Sequence, residues 1–403
     1  MKSTILKLMG AISVFVALPE RNIMNRKLML NGLLFLAPCL APTALASTTW
    51  YVDGVNGSDS NNCLAADTAC KTIGHAISRA VSGDSIMVAA ATYTENLTIP
   101  KQMSLNVIGA NAITTIIDGQ RAGSSVITIS IYAQVTLSNL TIRNGMAEFG
   151  GGINNNNYGR LTMNNITVTG NVAFLVYRGA SYSYGGGIYN GEYAVLTIND
   201  STVSGNTAGS FTCGLRICAG YGGGIFNSTY GELLINNSTI VGNSAYGSFR
   251  SPAYSKGGGI YNYDGNGIVG ISNSTITGNS AVQDGGIRGA TVQNSIIAHN
   301  TGGNCSVVIS RGYNLSSDTT CNFSPAEFNN IDPKLGMLGY YGGQTQTIPL
   351  LSGSPAIDAG NPNGCTDAQG NLLKTDQRGM PRPDKEDSVG CDMGAYESQS
   401  DQP

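Results

Sequence analysis

Arginine and aromatic residues recur together in three insertions of this sequence. The insertions follow Asn171, Asn206 and Asn243, read VAFLVYRGASYSY, TAGSFTCGLRICAGY and SAYGSFRSPAYSK, and contain no Asp or Glu. A guanidinium group binds carboxylate or sulfate through two parallel hydrogen bonds, and an aromatic ring packs on the apolar face of a sugar. The insertions therefore favour binding of an anionic glycan. The candidate ligand-binding residues are Tyr177, Arg178, Tyr182, Arg216, Tyr246, Phe249, Arg250, Tyr254 and Lys256.

Two other interpretations of the insertions stay open. The loops would fold over the scaffold and bury their own rings in a small side cluster. Alternatively, an arginine or tyrosine would serve as the base of a polysaccharide lyase. A close pairing of Cys213 with Cys218 would stiffen the middle loop and lower the entropy cost of binding.

Catalysis by carboxylates needs several acids on one face, because a general acid and a general base must reach the same bond. The acids between Gly150 and Asn300 are Glu192, Asp200, Glu232, Asp264 and Asp284, and no two occupy the same position of the repeat described below. The sequence therefore leans away from an enzyme. A polysaccharide lyase or glycoside hydrolase acting on an acidic polysaccharide is the alternative, and a passive structural surface protein is another.

The other charged residues point to structure more than to chemistry. His299 follows Asp284 and Arg288 in the sequence, but it takes a position that is glycine in other copies, so a turn substitution is favoured over catalysis. The C-terminal region has the densest charge group, for which internal salt bridges and turn caps are favoured over a metal site. No cofactor is predicted; calcium is left open, although no motif indicates it. That charge group consists of Asp358, Asp376, Arg378, Arg382, Asp384 and Asp392.

Eight cysteines follow the N-terminal segment, and an even number suits disulfides in an oxidising compartment. They fall into close neighbours, although the sequence alone leaves the connectivity open. Only two histidines accompany them, so a metal site is disfavoured. The neighbours are Cys63 with Cys70, Cys213 with Cys218, Cys305 with Cys321, and Cys365 with Cys391.

A repeat supplies the scaffold that must position these residues. Each copy contains three short strand-like runs, each with one inward aliphatic residue between polar neighbours, separated by Gly and Asn at the corners. Three strands per turn, stacked turn on turn, predict an all-β parallel β-helix. The aliphatic columns are Ile153, Ile188, Ile225, Ile260 and Ile287; Met163, Ile198, Ile235, Ile271 and Val292; and Val168, Val203, Ile240, Ile276 and Ile297.

Asparagine forms columns as well, and stacked amides can hydrogen-bond along the axis of such a helix. The many Asn-x-Ser/Thr sequons are then by-products of the stacking. The columns are Asn155, Asn190, Asn227 and Asn262, and Asn171, Asn206, Asn243, Asn279 and Asn300.

The chain divides into four predicted parts. Residues 1–46 are a signal peptide with a basic start, an apolar stretch and an Ala44-Leu45-Ala46 cleavage site, and residues 1–23 are open to being an over-called start. Residues 47–83 form an N-terminal cap with a short helix, residues 84–300 the rungs, and residues 301–403 a loop-rich C-terminal cap. No transmembrane segment follows residue 46. The net charge of −3 argues against nucleic-acid binding.

Three stretches resemble known exported proteins. TTWYVDGVNGSDSNNCLAADTACKTIGHAIS resembles the entry segment of bacterial right-handed β-helix proteins of the pectate-lyase-like superfamily. The GGGI…GN rungs are similar to polymorphic outer-membrane-protein-like repeats. GYNLSSDTTCNF, IDPKLGMLGYYGGQTQTIPLLSGSPAIDAG, DQRGMPRP and CDMGAYE, in that order, resemble the choice-of-anchor Q domain.

This resemblance implies a right-handed parallel β-helix that is secreted or displayed on the cell surface after Sec-dependent export. It implies no particular reaction. Together with the insertions, it leads us to expect an adhesin-like or glycan-binding protein whose partner is an extracellular polysaccharide. We expect the chain to be a monomer.

Overall fold

The structure is a computed structural model that describes residues 47–174, 181–209, 218–247, 255–324, 326–384 and 390–399. Within these ranges, no helix combines the length and the apolar composition that a membrane crossing requires. Several residues named above lie outside the described ranges: the signal segment and Tyr177, Arg178, Cys213, Arg216, Phe249, Arg250 and Tyr254.

A continuous sheet of 24 parallel strands winds through the described chain, with three strands in each rung. The first strands are Leu97–Ile99, Ile127–Ile129, Ile153–Asn155, Ile188–Asn190, Ile225–Asn227 and Ile260–Asn262. The second strands are Thr49–Val52, Asp84–Val88, Ser104–Gly109, Val195–Asn199, Glu232–Asn236 and Ile268–Ser272. The third strands are Ala91–Tyr93, Thr115–Asp118, Thr202–Ser204, Thr239–Val241, Thr275–Thr277, Ile296–Ala298, Leu315–Ser316 and Phe328–Asn329. Four longer strands each cover two of these positions: Gln134–Arg143, Arg160–Thr169, Ile287–Gln293 and Cys305–Ser310.

The core lies inside this coil and consists of the predicted aliphatic columns. Ile188 pairs with Ile153 on one side and with Ile225 on the other, and all three are fully buried. The other two columns pair in the same register. Burial of each such side chain contributes about 1.5–3 kcal/mol to the free energy of unfolding. The predicted all-β parallel β-helix is therefore confirmed.

Both predicted asparagine columns form hydrogen-bonded ladders. Asn155 Nδ2 donates to Asn190 Oδ1 at 2.8 Å, and Asn206 Nδ2 donates to Asn243 Oδ1 at 2.9 Å. The same contact recurs along each column, and the amides are buried. Since an unpaired buried amide is costly, each ladder satisfies the polar groups that the corners bring inside.

A short helix, Ile73–Arg79, covers the N-terminal end of the coil, as predicted. It buries Ile73, Ala76 and Ile77 and packs against the strands Thr49–Val52, Asp84–Val88 and Leu97–Ile99. Thr72 caps it by accepting a hydrogen bond from the His75 backbone at 3.2 Å. A single turn of 3-10 helix, Ala66–Thr68, precedes it.

The disulfides of the described residues follow the predicted pairing. Cys63 with Cys70, Cys305 with Cys321, and Cys365 with Cys391 are bonded. Cys218 is also disulfide-bonded, and its predicted partner Cys213 lies outside the described ranges.

The C-terminal region continues the coil past residue 300 and then runs back along its side. We call residues 331–384 and 390–399 the tail. The tail lies against the outward side of the third strands and the corner before them. Gln377 Oε1 accepts from the Thr239 hydroxyl at 2.6 Å, and Gln344 Oε1 accepts from the Ala112 backbone at 3.3 Å. The loop-rich cap expected from the sequence therefore also covers the side of the coil.

Candidate functional site

The bases of the insertions stack on one another, as the sequence predicts for loops that leave neighbouring rungs at the same corner. Strand Ser181–Tyr184 pairs in parallel with Cys218–Tyr221, and Tyr221 in turn pairs with Lys256. A small four-stranded sheet supports their entry points, formed by Met146–Ala147, Val172–Ala173, Thr207–Ala208 and Ser244–Ala245. Among the candidate ligand-binding residues within the described ranges, Tyr182 is exposed, and Tyr246 and Lys256 are half-buried.

One column of aromatic rings precedes the glycine triplets. Phe149, Tyr184 and Tyr221 stack with ring centroids 5.5 and 5.6 Å apart. Lys256 takes the next position of this column, because it pairs with Tyr221. Its side chain forms no ion pair with any described residue. The column therefore ends in an ammonium group that pairs with no carboxylate of the described residues.

A second column occupies the outward position of the first strands. Tyr189 stacks on Phe226 at 5.6 Å, and Phe226 stacks on Tyr261 at 5.7 Å. Arg288 pairs with Tyr261 across the strands, and its guanidinium lies 6.0 Å from that ring. Arg288 also contacts Asp284 at 3.2 Å. This column, like the first, ends in a basic residue.

The two columns pack edge to face and form one surface. The Tyr184 ring lies 4.9 Å from Phe226, and the Phe149 ring lies 5.0 Å from Tyr189. Phe226 and Tyr261 are buried at the base of this surface. The other four rings are half-exposed. We call this surface the aromatic face. It consists of Phe149, Tyr184, Tyr189, Tyr221, Phe226 and Tyr261.

The phenols of the aromatic face stay neutral at physiological pH. Burial raises the pKa values of Tyr184, Tyr189 and Tyr261 above the ordinary value for a tyrosine side chain. A neutral phenol both donates and accepts hydrogen bonds. The aromatic face can therefore offer ring surface, hydroxyl groups and two cations to one ligand. The candidate residues drawn from the insertions include none of its six rings, although tyrosine and phenylalanine beside each GGGI motif are a visible signal.

A third aromatic column lies at the corner between the first and second strands. Tyr132, Tyr158, Tyr193 and Tyr230 stack with centroids 5.0, 5.1 and 5.0 Å apart. Each is between 42% and 52% exposed. We call this column the tyrosine ladder.

The tyrosine ladder carries a backbone cost. Its residues have φ between 55° and 62°, in the left-handed region. For a residue other than glycine, this region costs about 1–2 kcal/mol. Ring stacking returns about 0.5–1.5 kcal/mol for each pair beyond burial, and four rings make three pairs. Taken over four strained residues and three stacked pairs, stacking therefore offsets only part of the strain.

The charged residues of the C-terminal region form a buried network. Arg382 Nε contacts Glu397 Oε2 at 2.7 Å with both side chains fully buried, and Arg378 contacts Asp376 at 2.7 Å. Burial and the charge of Glu397 raise the pKa of Asp392 to about 7. Burial likewise raises the pKa of Asp200 to about 7. Asp392, Arg382 and Glu397 are buried and Asp200 is half-buried, so the predicted structural role is favoured over catalysis.

The remaining candidates do not assemble into a catalytic group. His299 contacts Asp332 at 3.4 Å on the surface, whereas Arg288 pairs with Asp284. In the part of the chain that the structure describes, Cys63, Cys70 and His75 are the group with metal-ligand spacing, and a disulfide joins its two sulfurs.

Comparison with known proteins finds weak similarity to solved structures. No protein-family model matches the chain, and no curated protein matches it. A crystal structure of the pectate lyase Pel9A is 16% identical, with a TM-score of 0.43, over 88% of this chain and 97% of that one. A pectin methylesterase in complex with a hexasaccharide is 14% identical, with a TM-score of 0.33, over 68% and 82%. A rice weevil pectin methyl esterase is 13% identical, with a TM-score of 0.31, over 65% and 86%. Since one fold supports several chemistries, no functional residue is transferred from them.

Proposed function

We propose that this chain is a secreted or cell-surface protein that binds an acidic polysaccharide, in an adhesin-like manner, through the aromatic face and the neighbouring insertions. The observation that supports it most is the pair of aromatic columns that end in Lys256 and Arg288. Rings pack on sugars, and the two cations suit carboxylate or sulfate groups on the same chain.

The scaffold favours such binding for a second reason. Tyr189, Phe226 and Tyr261 of the aromatic face sit on parallel strands whose register is fixed by the buried columns. Because they are held in place before a ligand arrives, little conformational entropy is lost on binding. The disulfides fit an extracellular setting, where such bonds persist.

Binding can be tested with the chain from Ser47 and a set of oligogalacturonates, using titration calorimetry. We expect Lys256→Gln/Arg288→Gln to weaken binding at least tenfold, since both cations are lost. The control is Arg143→Gln/Lys334→Gln, which removes the same charge away from the aromatic face. Equal weakening by both double variants, or no binding to any acidic glycan, would contradict the proposal.

A polysaccharide lyase or glycoside hydrolase acting on an acidic polysaccharide is the second candidate. One observation favours it: the Tyr261 phenol lies beside Arg288, which is itself paired with Asp284. A phenol beside a guanidinium is a suitable group for proton transfer. Growth of absorbance from unsaturated uronate, with calcium present and lost in Tyr261→Phe, would replace binding with lyase chemistry. A reducing-end assay covers hydrolysis.

If the chain neither binds nor turns over any member of a broad glycan panel, a passive structural surface protein is the remaining candidate.

A further inference from the structure

The tyrosine ladder presents its edges and not its faces. Each inner ring is covered on both sides by its neighbours, so the exposed parts are the ring edges and the hydroxyl groups. None of the four hydroxyls forms a hydrogen bond with a described residue. A row of phenol groups that have no hydrogen-bond partner among the described residues therefore runs parallel to the helix axis, with ring centroids 5.0 to 5.1 Å apart.

The choice of tyrosine at this corner is unusual within the molecule itself. The corner after the second strands has left-handed backbone too, and there the residues include Asn165, Asn237 and Asn273. The corner after the third strands uses glycine, as at Gly205 and Gly242. Asparagine and glycine tolerate this conformation, whereas bulky residues do not. Tyrosine thus recurs at this corner, although asparagine and glycine adopt this conformation more easily and occupy the other two corners.

The charges near the ladder differ from those of the aromatic face. Within two residues of its rings lie Glu192, Glu232 and Arg160, and Asp264 takes the left-handed position of the next rung. Three carboxylates and one guanidinium disfavour an anionic partner. The phenols both donate and accept hydrogen bonds, which suits sugar hydroxyls.

We infer that the tyrosine ladder is a second binding site, for a neutral, linear, β-1,4-linked glycan that lies parallel to the helix axis. The sugar repeat of such a chain is close to the rung spacing, so successive sugars meet successive tyrosines. Several weak contacts held at fixed spacing add up when the second and later ones are intramolecular. This site is separate from the aromatic face and does not rest on the proposed function.

The test is titration calorimetry of the chain from Ser47 with cello-oligosaccharides of increasing length. We expect the affinity to rise with each added sugar until the chain spans the four tyrosines, and then to level off. We expect the quadruple variant Tyr132→Phe/Tyr158→Phe/Tyr193→Phe/Tyr230→Phe to bind at least tenfold more weakly, because it keeps the stacked rings and loses the hydroxyls.

A matched control is Tyr313→Phe/Tyr340→Phe. Both tyrosines are exposed and lie outside the ladder, and Tyr313 also has left-handed backbone. We expect this control to bind like the original chain, and thermal unfolding checks that all variants fold. No binding of the neutral glycan, affinity independent of chain length, or equal loss in the control would overturn the inference.

The two proposed binding sites can be tested separately. We expect Lys256→Gln/Arg288→Gln to keep full affinity for the neutral glycan, and the quadruple variant to keep its affinity for oligogalacturonate. Loss of both ligands in either variant would mean that one surface binds both, which also overturns the inference.

Discussion

Two corners of the rungs place residues other than glycine in left-handed backbone, and they do so with different side chains. The corner after the first strands carries the tyrosine ladder, with φ values such as 55° at Tyr193. The corner after the second strands carries Asn or Asp, with φ values such as 45° at Asn237. The tyrosines of the first corner are exposed to solvent, whereas the amides of Asn237 and Asn273 at the second corner are buried.

What lies outside each corner explains the difference. The tail covers the second corner and bonds to it: Arg382 donates to Asn237 Oδ1 at 3.0 Å, and Asn273 Nδ2 donates to the Thr366 carbonyl at 2.7 Å. No such covering segment bonds to the tyrosine side chains among the described residues. A compact amide fits beneath a packed segment, whereas a ring can bury its faces only against other rings. Each corner therefore meets the requirement for left-handed backbone with the side chain that its surroundings can hydrogen-bond or pack.

Removing the cation that holds the covered corner should have the largest effect. We expect Arg382→Met to lower the free energy of unfolding by about 3–5 kcal/mol, because Glu397 would remain buried without its partner. Denaturant titration measures it. As a matched control, Arg143→Met breaks the half-exposed pair with Asp118 and should cost about 1 kcal/mol or less. Similar losses from the two variants would remove the distinction between covered and open regions.

The aspartate of the covered corner should make stability depend on pH. Burial raises the pKa of Asp200 to about 7. In acid, below the ordinary pKa of aspartate, the carboxyl is neutral in both states. As the pH rises to about 7 the unfolded chain ionises first, so the contribution of this carboxyl to stability is lost.

Asp200→Asn should therefore stabilise the fold at pH 8 and leave it unchanged at pH 4. We expect a gain of about 2 kcal/mol at pH 8, below the full value of the shift because solvent partly screens the carboxylate. Unfolding at the two pH values measures the gain. Asp264→Asn is the control, since Asp264 is exposed and also left-handed, and it should change little at either pH. A gain that is the same at both pH values would contradict the explanation.

Replacement of a tyrosine in the ladder, at the solvent-exposed corner after the first strands, should have the smallest effect. Tyr193→Asn relieves the strained backbone and loses two stacking contacts, so the free energy of unfolding should fall by about 1 kcal/mol or less. Thermal unfolding measures it. A loss of several kcal/mol would show that the ladder is a structural support on the scale of the core.

The regular part of the molecule was predictable because its signal is periodic. An isoleucine at the same place in every copy, as at Ile188 and Ile225, determines the register of the sheet. Asparagines in step with it predicted the ladders, and close cysteines predicted three observed disulfides. Each of these inferences needs only the neighbouring copy of the repeat.

The tail and the aromatic surfaces were less predictable for different reasons. The tail has no repeat, and its partners, such as Thr239 for Gln377, lie 138 residues away in sequence. The rings did recur in step, at Tyr189, Phe226 and Tyr261. Recurrence alone does not mark a binding surface, because an aromatic residue in a strand is ordinarily part of the core. Which of the outward rings remain reachable depends on the neighbouring segments.

The contact between Gln344 and Ala112 joins residues 232 positions apart, and it bears on the order in which the molecule can assemble. Rungs can form one after another from the N-terminal helix onward, since each needs only the one before it. The threonine-lined outward side of the third strands then stays exposed to solvent until the last part of the chain has been synthesised. Such distant closure is slow. Early rungs therefore pass through a stage in which that side is open to unwanted association, and arrival of the tail is the step that ends it.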